Sequence, residues 1–288
     1  SSAASDVYKR QGKGRFCREF AVKTNKIMDL NTVKTVVVKI GTSTLTYENG
    51  KMNLRRIDKL CRTLCDLQNG GRRIVLVTSG AIGVGMGKLG LPERPDDTAK
   101  KQALAAIGQC ELMFMYDKLF SEYGNTIGQL LITRSDFENG ERRANLSNSF
   151  EKLFEFGAIP VINENDSIAV EEIVFGDNDT LSAMVAKLVN ADALIILSDI
   201  DGLYSGNPRE DESAYLIPVV EEITDELMSI AGTKGSTRGT GGMVTKLHAA
   251  QIAMDAGIDT VVMNGAQPED IYRLLDGRQI GTYFKAKA

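Results

Sequence analysis

With one histidine, His248, in 288 residues, a His-rich metal site or a Ser-His-Asp triad is close to excluded, the latter having only that residue to draw on. His248 is expected to pack on its own helix. Cysteine is scarce too: Cys17, Cys61, Cys65 and Cys110 make no disulfide framework in so long a chain, and Cys61 and Cys65 stand four apart on an expected helix instead of in a CxxC turn. They read as reduced, half-buried thiols of a cytoplasmic protein. No apolar run approaches the roughly 20 residues of a membrane span, so no membrane partner is expected. Positive charge is not in excess: a formal net charge of −4 argues against nucleic acid as a partner, while leaving room for a local basic cluster around phosphates. The phosphate-loop run GxxxxGK[ST] is absent. One GxGxxG match, Gly85 to Gly90, lies several residues beyond the strand expected to end at Val77. About 20 residues further on stands Glu111, inside an expected helix and not at a strand end, so the match does not support a dinucleotide site.

What remains is a chain with 43% apolar residues, enough to fill a sizeable core. Residues 1–31 differ from the rest, being basic, aperiodic and without the apolar centre of a signal peptide. Asp6 and Glu19 argue against a transit peptide, and Met28 reads as the natural start. This segment is expected to be a disordered or non-native extension. From Thr35 onward, near-continuous apolar runs predict strands at 35–38, 73–77, 126–132, 158–162, 193–197 and 259–263. Amphipathic stretches alternate with them. Asn53 caps a predicted helix whose Ile57, Leu60, Leu64 and Leu67 recur at helical spacing until Asn69-Gly70-Gly71. Further helices are predicted near 98–123, 142–156, 180–190, 243–256 and 268–275. The alternation is that of βαβ units around a largely parallel sheet.

In such a sheet, ligands bind outside the carboxyl ends of the strands. Five polar clusters fall there: Lys39 with Gly41, Ser79-Gly80, Thr133-Arg134, Asn163 to Asp166, and Ser198-Asp199. The turn from Gly239 to Lys246 adds glycines, a lysine and the start of an apolar helix, which together can cradle a phosphate. Glycine-rich connections before helices are common, so this turn gains its weight from the other clusters. Two lysines beside glycines at one edge, Lys39 and Lys246, suit phosphoryl transfer, which needs positive charge on the moving group and in-line placement of the acceptor. The loops containing Asn163, Asn165, Asp166, Asp177, Asn178 and Asp179 are rich in acids and amides. Such residues favour turns, and they also suit the ammonium group of an amino acid.

Six blocks, in this order, carry a resemblance: Val38-Lys39-Ile40-Gly41-Thr42-Ser43, Val77 to Ile82, Val161 to Asp166, Gly176-Asp177-Asn178-Asp179, Ser198 to Tyr204, and Gly239 to Lys246. The chain resembles the amino acid kinase superfamily, and most closely its branch acting on glutamate. The resemblance implies an α/β fold, a three-layer αβα sandwich with a central, mostly parallel sheet. That domain would span 32–288, with about 32–180 binding glutamate and about 181–288 binding ATP. It implies Lys39, Lys246 and Asp179 as catalytic residues, with Asp179 positioning both lysines. Ser79, Gly80, Asp166, Asn178, Asn163 and Asp177 would meet the substrate. ATP would lie on Lys39, Gly41, Ser198, Asp199 and the run Thr240, Gly241, Gly242, Met243, Val244, Thr245, Lys246. Mg²⁺ would accompany ATP with no direct protein ligand. Many members carry threonine where Ser198 stands, and serine keeps the hydroxyl. Many also add a C-terminal PUA domain, which is not expected here. The implied activity is ATP-dependent phosphorylation of the L-glutamate side chain, the first step of proline biosynthesis, by a homo-oligomer subject to inhibition by proline. A sibling kinase acting on aspartate, acetylglutamate, carbamate or a nucleoside monophosphate, and a non-catalytic ligand-binding regulator, stand as alternatives.

Overall fold

The six residues of β1 (Thr35–Ile40) are all buried, and successive side chains enter opposite apolar layers. A computed structural model describes residues 32–47, 50–168, 177–208, 210–232 and 242–287. The extension 1–31, Gly176, and Gly239 to Gly241 with Thr240 lie outside the described residues. Along the chain follow α1 (Thr42–Leu45), α2 (Leu54–Asn69), β2 (Arg73–Val77), α3 (Ala81–Leu89), α4 (Thr98–Glu122), β3 (Ile127–Ile132), α5 (Arg134–Glu138), α6 (Gly140–Glu155) and β4 (Ile159–Glu164). Then come α7 (Asn178–Leu188), β5 (Ala193–Ser198), β6 (Val219–Val220), α8 (Asp225–Ala231), α9 (Met243–Asp255), β7 (Asp259–Asn264), α10 (Asp270–Leu275) and β8 (Thr282–Phe284).

The strands form one sheet in the order β3-β4-β2-β1-β5-β7-β8-β6. The six strands from β3 to β7 are parallel, while β8 pairs antiparallel with β7 and parallel with β6. Val36, Val38 and Ile40 join Leu60, Leu64, Leu112 and Phe120 in one core layer, beneath α2 and α4. Val37 joins Leu181, Leu247 and Ala250 in the other, beneath α7 and α9. Two cores on the two faces of a mostly parallel sheet make the expected three-layer αβα sandwich. Strand alternation gives Lys39 the same side as Val37, so it enters the layer of α7 and α9 at the carboxyl end of the central strand.

Every strand predicted from an apolar run is present, within one or two residues of its expected bounds. Asn53 caps α2, its side chain accepting from the Arg56 N–H at 3.2 Å. Several elements carry no such signature: α1, α5 and α8 are short, and β6 and β8 have only two and three residues. The glycines of the GxGxxG match lie in and just after α3, where glycine costs about 1 kcal/mol relative to alanine. Packing against α4 explains Gly85, whereas Gly87 meets the Gly50 carbonyl and Gly90 caps α3 with a left-handed φ of 69°. A Cβ on Gly85 would stand 2.1 Å from the Leu104 carbonyl oxygen, and one on Gly108 would stand 1.7 Å from that of Ala81. The two helices therefore touch backbone to backbone, which fixes α4 against the start of α3.

Gly108→Ala is accordingly expected to force α3 and α4 apart, at a cost of about 1–3 kcal/mol or more. A urea midpoint equal to that of the parent would mean that the helices are not in this contact.

Candidate active site

Three chain segments bring charge to the carboxyl edge of the sheet. Lys39 arrives from β1, Asp179 from the first turn of α7, and Lys246 from the first turn of α9. Asp177 caps α7, its carboxylate accepting from the Thr180 N–H at 2.7 Å, and Asp179 follows in the same turn. The unpaired amides there favour a carboxylate. Lys39 Nζ lies 2.6 Å from Asp179 Oδ1 as an ion pair, and Lys246 Nζ donates to Oδ2 at 3.0 Å. The Thr245 hydroxyl is 2.8 Å from the same Oδ2. Asp179 is fully buried, and each lysine is only 6% exposed.

One carboxylate thus serves two ammonium groups. Burial pushes the Asp179 carboxyl up, but the attraction of Lys39 and Lys246 outweighs it and holds the group at about 2. Lys39 is held below the ordinary lysine value, chiefly by burial, with Asp179 opposing and Lys246 reinforcing. Asp179 is drawn by two opposite charges, whereas Lys39 is drawn by Asp179, and more weakly by Asp177, against the repulsion of Lys246. The cluster is left net positive in a dry place. Beside it, α9 starts from Gly242 with no side chain on its first amides, so its amino end can also face an anion.

The acid-and-amide loops meet at the same edge, nearer β2 and β4. The Asn178 amide donates to the Thr78 carbonyl at 2.6 Å and to Asn163 Oδ1 at 2.8 Å. Asn163 in turn donates to Gln109 Oε1 at 2.7 Å, and Thr78 and Tyr116 share a hydroxyl hydrogen bond of 2.9 Å. Ser79 donates to the Ile40 carbonyl at 2.9 Å, which leaves its oxygen as an acceptor. Gly80, with φ of 91°, caps α3 in the left-handed region and lies close to Thr42. Burial raises the Asp166 carboxyl, with the positive charge of Arg94 opposing, and burial also raises Asp177, which Thr180 offsets.

On the other side of β1, Ser198 ends β5 and donates to Asp199 at 3.2 Å. Gly41 follows Lys39 and precedes α1. Met243, Val244, Thr245 and Lys246 form the first turn of α9 after Gly242, whereas Thr240 and Gly241 lie outside the described residues. His248 is on α9 with its side chain exposed, away from the charged cluster. Cys61 and Cys65 are buried on α2, deeper than the half-buried thiols expected, and Cys110 is exposed, all three as free thiols. Sequence reading passed over Gln109, Thr78 and Tyr116. The available signal was a glutamine on the α4 stripe of Ala105, Leu112, Tyr116 and Phe120, where apolar residues dominate.

The amino acid kinase family profile matches residues 34–264. The chain is 53% identical over 262 residues to the glutamate 5-kinase of Clostridium perfringens, covering 90% of this chain and 97% of that one. It is 54% identical over 249 residues to the glutamate 5-kinase of Caldanaerobacter subterraneus subsp. tengcongensis, covering 86% of this chain and 67% of that longer one. With the glutamate 5-kinase of Listeria monocytogenes serovar 1/2a it shares 50% identity over 262 residues, 90% of this chain and 95% of the relative. Among solved structures, the UMP kinase from Bacillus anthracis superposes with a TM-score of 0.60 at 15% identity, over 89% of this chain and 97% of that one. That from Ureaplasma parvum gives 0.62 at 12% identity, over 88% and 99%. These two are likenesses of fold.

The depressed Asp179 carboxyl sets a pH dependence. Its contribution to stability, about 2–3 kcal/mol for a group moved from its ordinary 3.8 to about 2, is present above pH 4 and lost as the pH falls through about 2. Asp179→Asn should therefore be less stable than the parent near pH 5, and the margin should narrow from pH 4 to 2. A margin in urea midpoint that does not narrow would contradict the assigned ionisation.

Proposed function

The chain belongs to the amino acid kinase family, and on that premise we propose that it transfers the γ-phosphoryl group of ATP to the side-chain carboxylate of L-glutamate. The product is γ-glutamyl 5-phosphate, the first step of proline biosynthesis. Relatives at 50–54% identity carry the name glutamate 5-kinase. The observation that carries the mechanism is the buried cluster in which Lys39 and Lys246 share the single carboxylate of Asp179. It has surplus positive charge and no room to dissipate it in water, so an incoming phosphoryl group completes it.

The acceptor carboxylate is ionised at neutral pH and is itself the nucleophile, so no general base is required. What the protein supplies is placement and charge. We assign Lys39 to the ATP phosphates and Lys246 to the transferring group, with Asp179 holding the two ammonium groups in position. As negative charge redistributes over the equatorial oxygens, the lysines stabilise it without having to move. The first turn of α9, from Gly242 to Lys246, would receive phosphates on its amides, with Gly41, Ser198 and Asp199 on the nucleotide side. Ser79, Gly80, Asp166 and Asn178 would hold glutamate, their acceptor atoms facing its ammonium group. Asn163 would act by orienting Asn178. Asp177 would act through α7, which it caps.

Among the described residues, no group of three or more His, Cys, Asp or Glu side chains could hold a metal. The donors at this site are ammonium groups, so Mg²⁺ fits as an ion carried by the ATP phosphates, whose charge it would neutralise. In this reading residues up to about 180 serve glutamate and those beyond serve ATP, proline competes at the glutamate pocket, and the enzyme works as a cytoplasmic homo-oligomer. Among the described residues no helix is long and apolar enough to cross a membrane.

The test is ADP release from Mg²⁺-ATP with L-glutamate, in the presence of hydroxylamine to trap an acyl phosphate. Hydroxamate with glutamate, but not with aspartate or acetylglutamate, is the expected outcome. Product from another acceptor instead would overturn the assigned substrate, and silence with all of them would overturn the assigned reaction. Lys39→Ala and Lys246→Ala should each lower turnover by about 10² or more, each lysine contributing a few kcal/mol to the transition state. Retention of most turnover at saturating substrates would contradict the roles given to them.

A further inference from the structure

The buried amides near β4 leave a donor without a partner, and their orientations follow from groups that can act in only one way. The Glu164 backbone N–H is a donor and bonds to Asn163 at 3.0 Å, so the Asn163 atom it meets is Oδ1. The other end of Asn163 is therefore an NH₂, and the Gln109 atom it meets at 2.7 Å is Oε1. The Thr78 carbonyl can only accept, which fixes the Asn178 NH₂ toward it at 2.6 Å and agrees with the same orientation of Asn163. Two anchors of opposite kind thus fix the chain of amides. Gln109 Nε2 is left over: it is buried and has no hydrogen-bond partner among the described residues, on a side chain only 9% exposed. An orphaned buried amide donor costs about 1–3 kcal/mol, so an acceptor is expected to meet it in the working state.

The surroundings say what the acceptor is. Gln109 shares a small cavity of about 10 Å³ with Ala81, Glu164, Asn165 and Asp166, where there is space for about one oxygen atom. Asp166 and Glu164 bring negative charge, which suits an ammonium group, and none of the residues lining the cavity is positive, Arg94 acting on Asp166 from outside it. Gln109 lines this space and carries a neutral donor, on a helix held by the tight α3–α4 contact at Gly108. Resting on the function proposed above, we propose that Gln109 is a substrate-binding residue whose Nε2–H donates to a carboxylate oxygen of the bound amino acid. It would add a fixed neutral donor beside the two acids, on an arm held by Asn163.

Two variants separate this role from a purely structural one. Gln109→Glu keeps an oxygen for Asn163 and replaces the donor by a group that donates only when protonated, whereas Gln109→Met removes both functions. With wild-type hydroxamate formation from glutamate as the control, KM for glutamate and for ATP is measured from pH 6 to 9. Absence of product in the control strikes the underlying function and not this proposal. Both variants are expected to raise KM for glutamate at least about tenfold with KM for ATP within twofold, and the defect of Gln109→Glu should deepen as the pH rises. A Gln109→Glu enzyme whose KM for glutamate stays within twofold of wild type throughout overturns the proposal, whatever Gln109→Met does. So does a loss confined to kcat. If Gln109→Met fails to fold, Gln109→Glu alone decides.

Discussion

Two ammonium groups held against one buried carboxylate set the terms for the rest of the molecule. Removing such charges from water costs several kcal/mol each, and the cost is tolerable only if the partners are fixed at short range. Asp179 at 2.6 and 3.0 Å from the two lysines meets that condition, and it requires β1, α7 and α9 to end at one point. The parallel sheet supplies this convergence. β1 is central and buried on both faces, so alternation alone directs Lys39 into the helical layer that holds Asp179 and Lys246. Helix polarity then brings the amino ends of α7 and α9 over the carboxyl end of β1, where their free amides add to the field that the lysines create.

The opposite layer solves a different problem. Recognition of an amino acid needs neutral donors and acceptors in fixed orientation, and a helix can provide these only if it is itself fixed. Gly85 and Gly108 permit α3 and α4 to approach until backbone meets backbone, at a cost in helix propensity that contact repays. From α4, Gln109 and Tyr116 reach the ends of β4 and β2, two turns apart on one face. Asn178 joins this network to α7 one residue before Asp179. The amide chain and the charge cluster are therefore continuous through a single helical turn, and a shift of α7 would disturb both.

How legible each layer was in the sequence follows from the physics that built it. Strands buried on both faces must be apolar throughout, so six of the eight could be read directly as runs, and the polar residues closing them could be read as an edge. β6 and β8 are too short to show a period and exist through pairing with each other and with β7. α3 was illegible for the opposite reason: its glycines argue against a helix locally and are explained by close approaches to other segments, Gly85 to α4 and Gly87 to Gly50. Lys39 and Lys246 stood out because each accompanies glycines, Lys39 at a strand end and Lys246 after a glycine-rich run. That both turn to Asp179 came from family resemblance, since no spacing within one segment encodes a contact among three. Gln109 gave almost no signal, because one amide in an apolar stripe acquires meaning only when its hydrogen bonds can be followed.

This division bears on how the site can change while keeping its reaction. The charge cluster is indifferent to what the acceptor is, because it addresses phosphate and requires only that a nucleophile lie in line. Selectivity must then arise in the amide and acid layer, where a single misplaced donor leaves a buried group unpaired and is penalised more heavily than a lost apolar contact. The fold shared with the two UMP kinases at 12–15% identity fits this separation: the architecture persists while most of the sequence has diverged. A buried ion triad is costly to alter, since removing any one member strands the others, whereas an amide network can be rewired by exchanging neutral groups of similar size. On the roles proposed above, divergence in acceptor choice should therefore fall on the α4 side of the sheet and spare Lys39, Lys246 and Asp179.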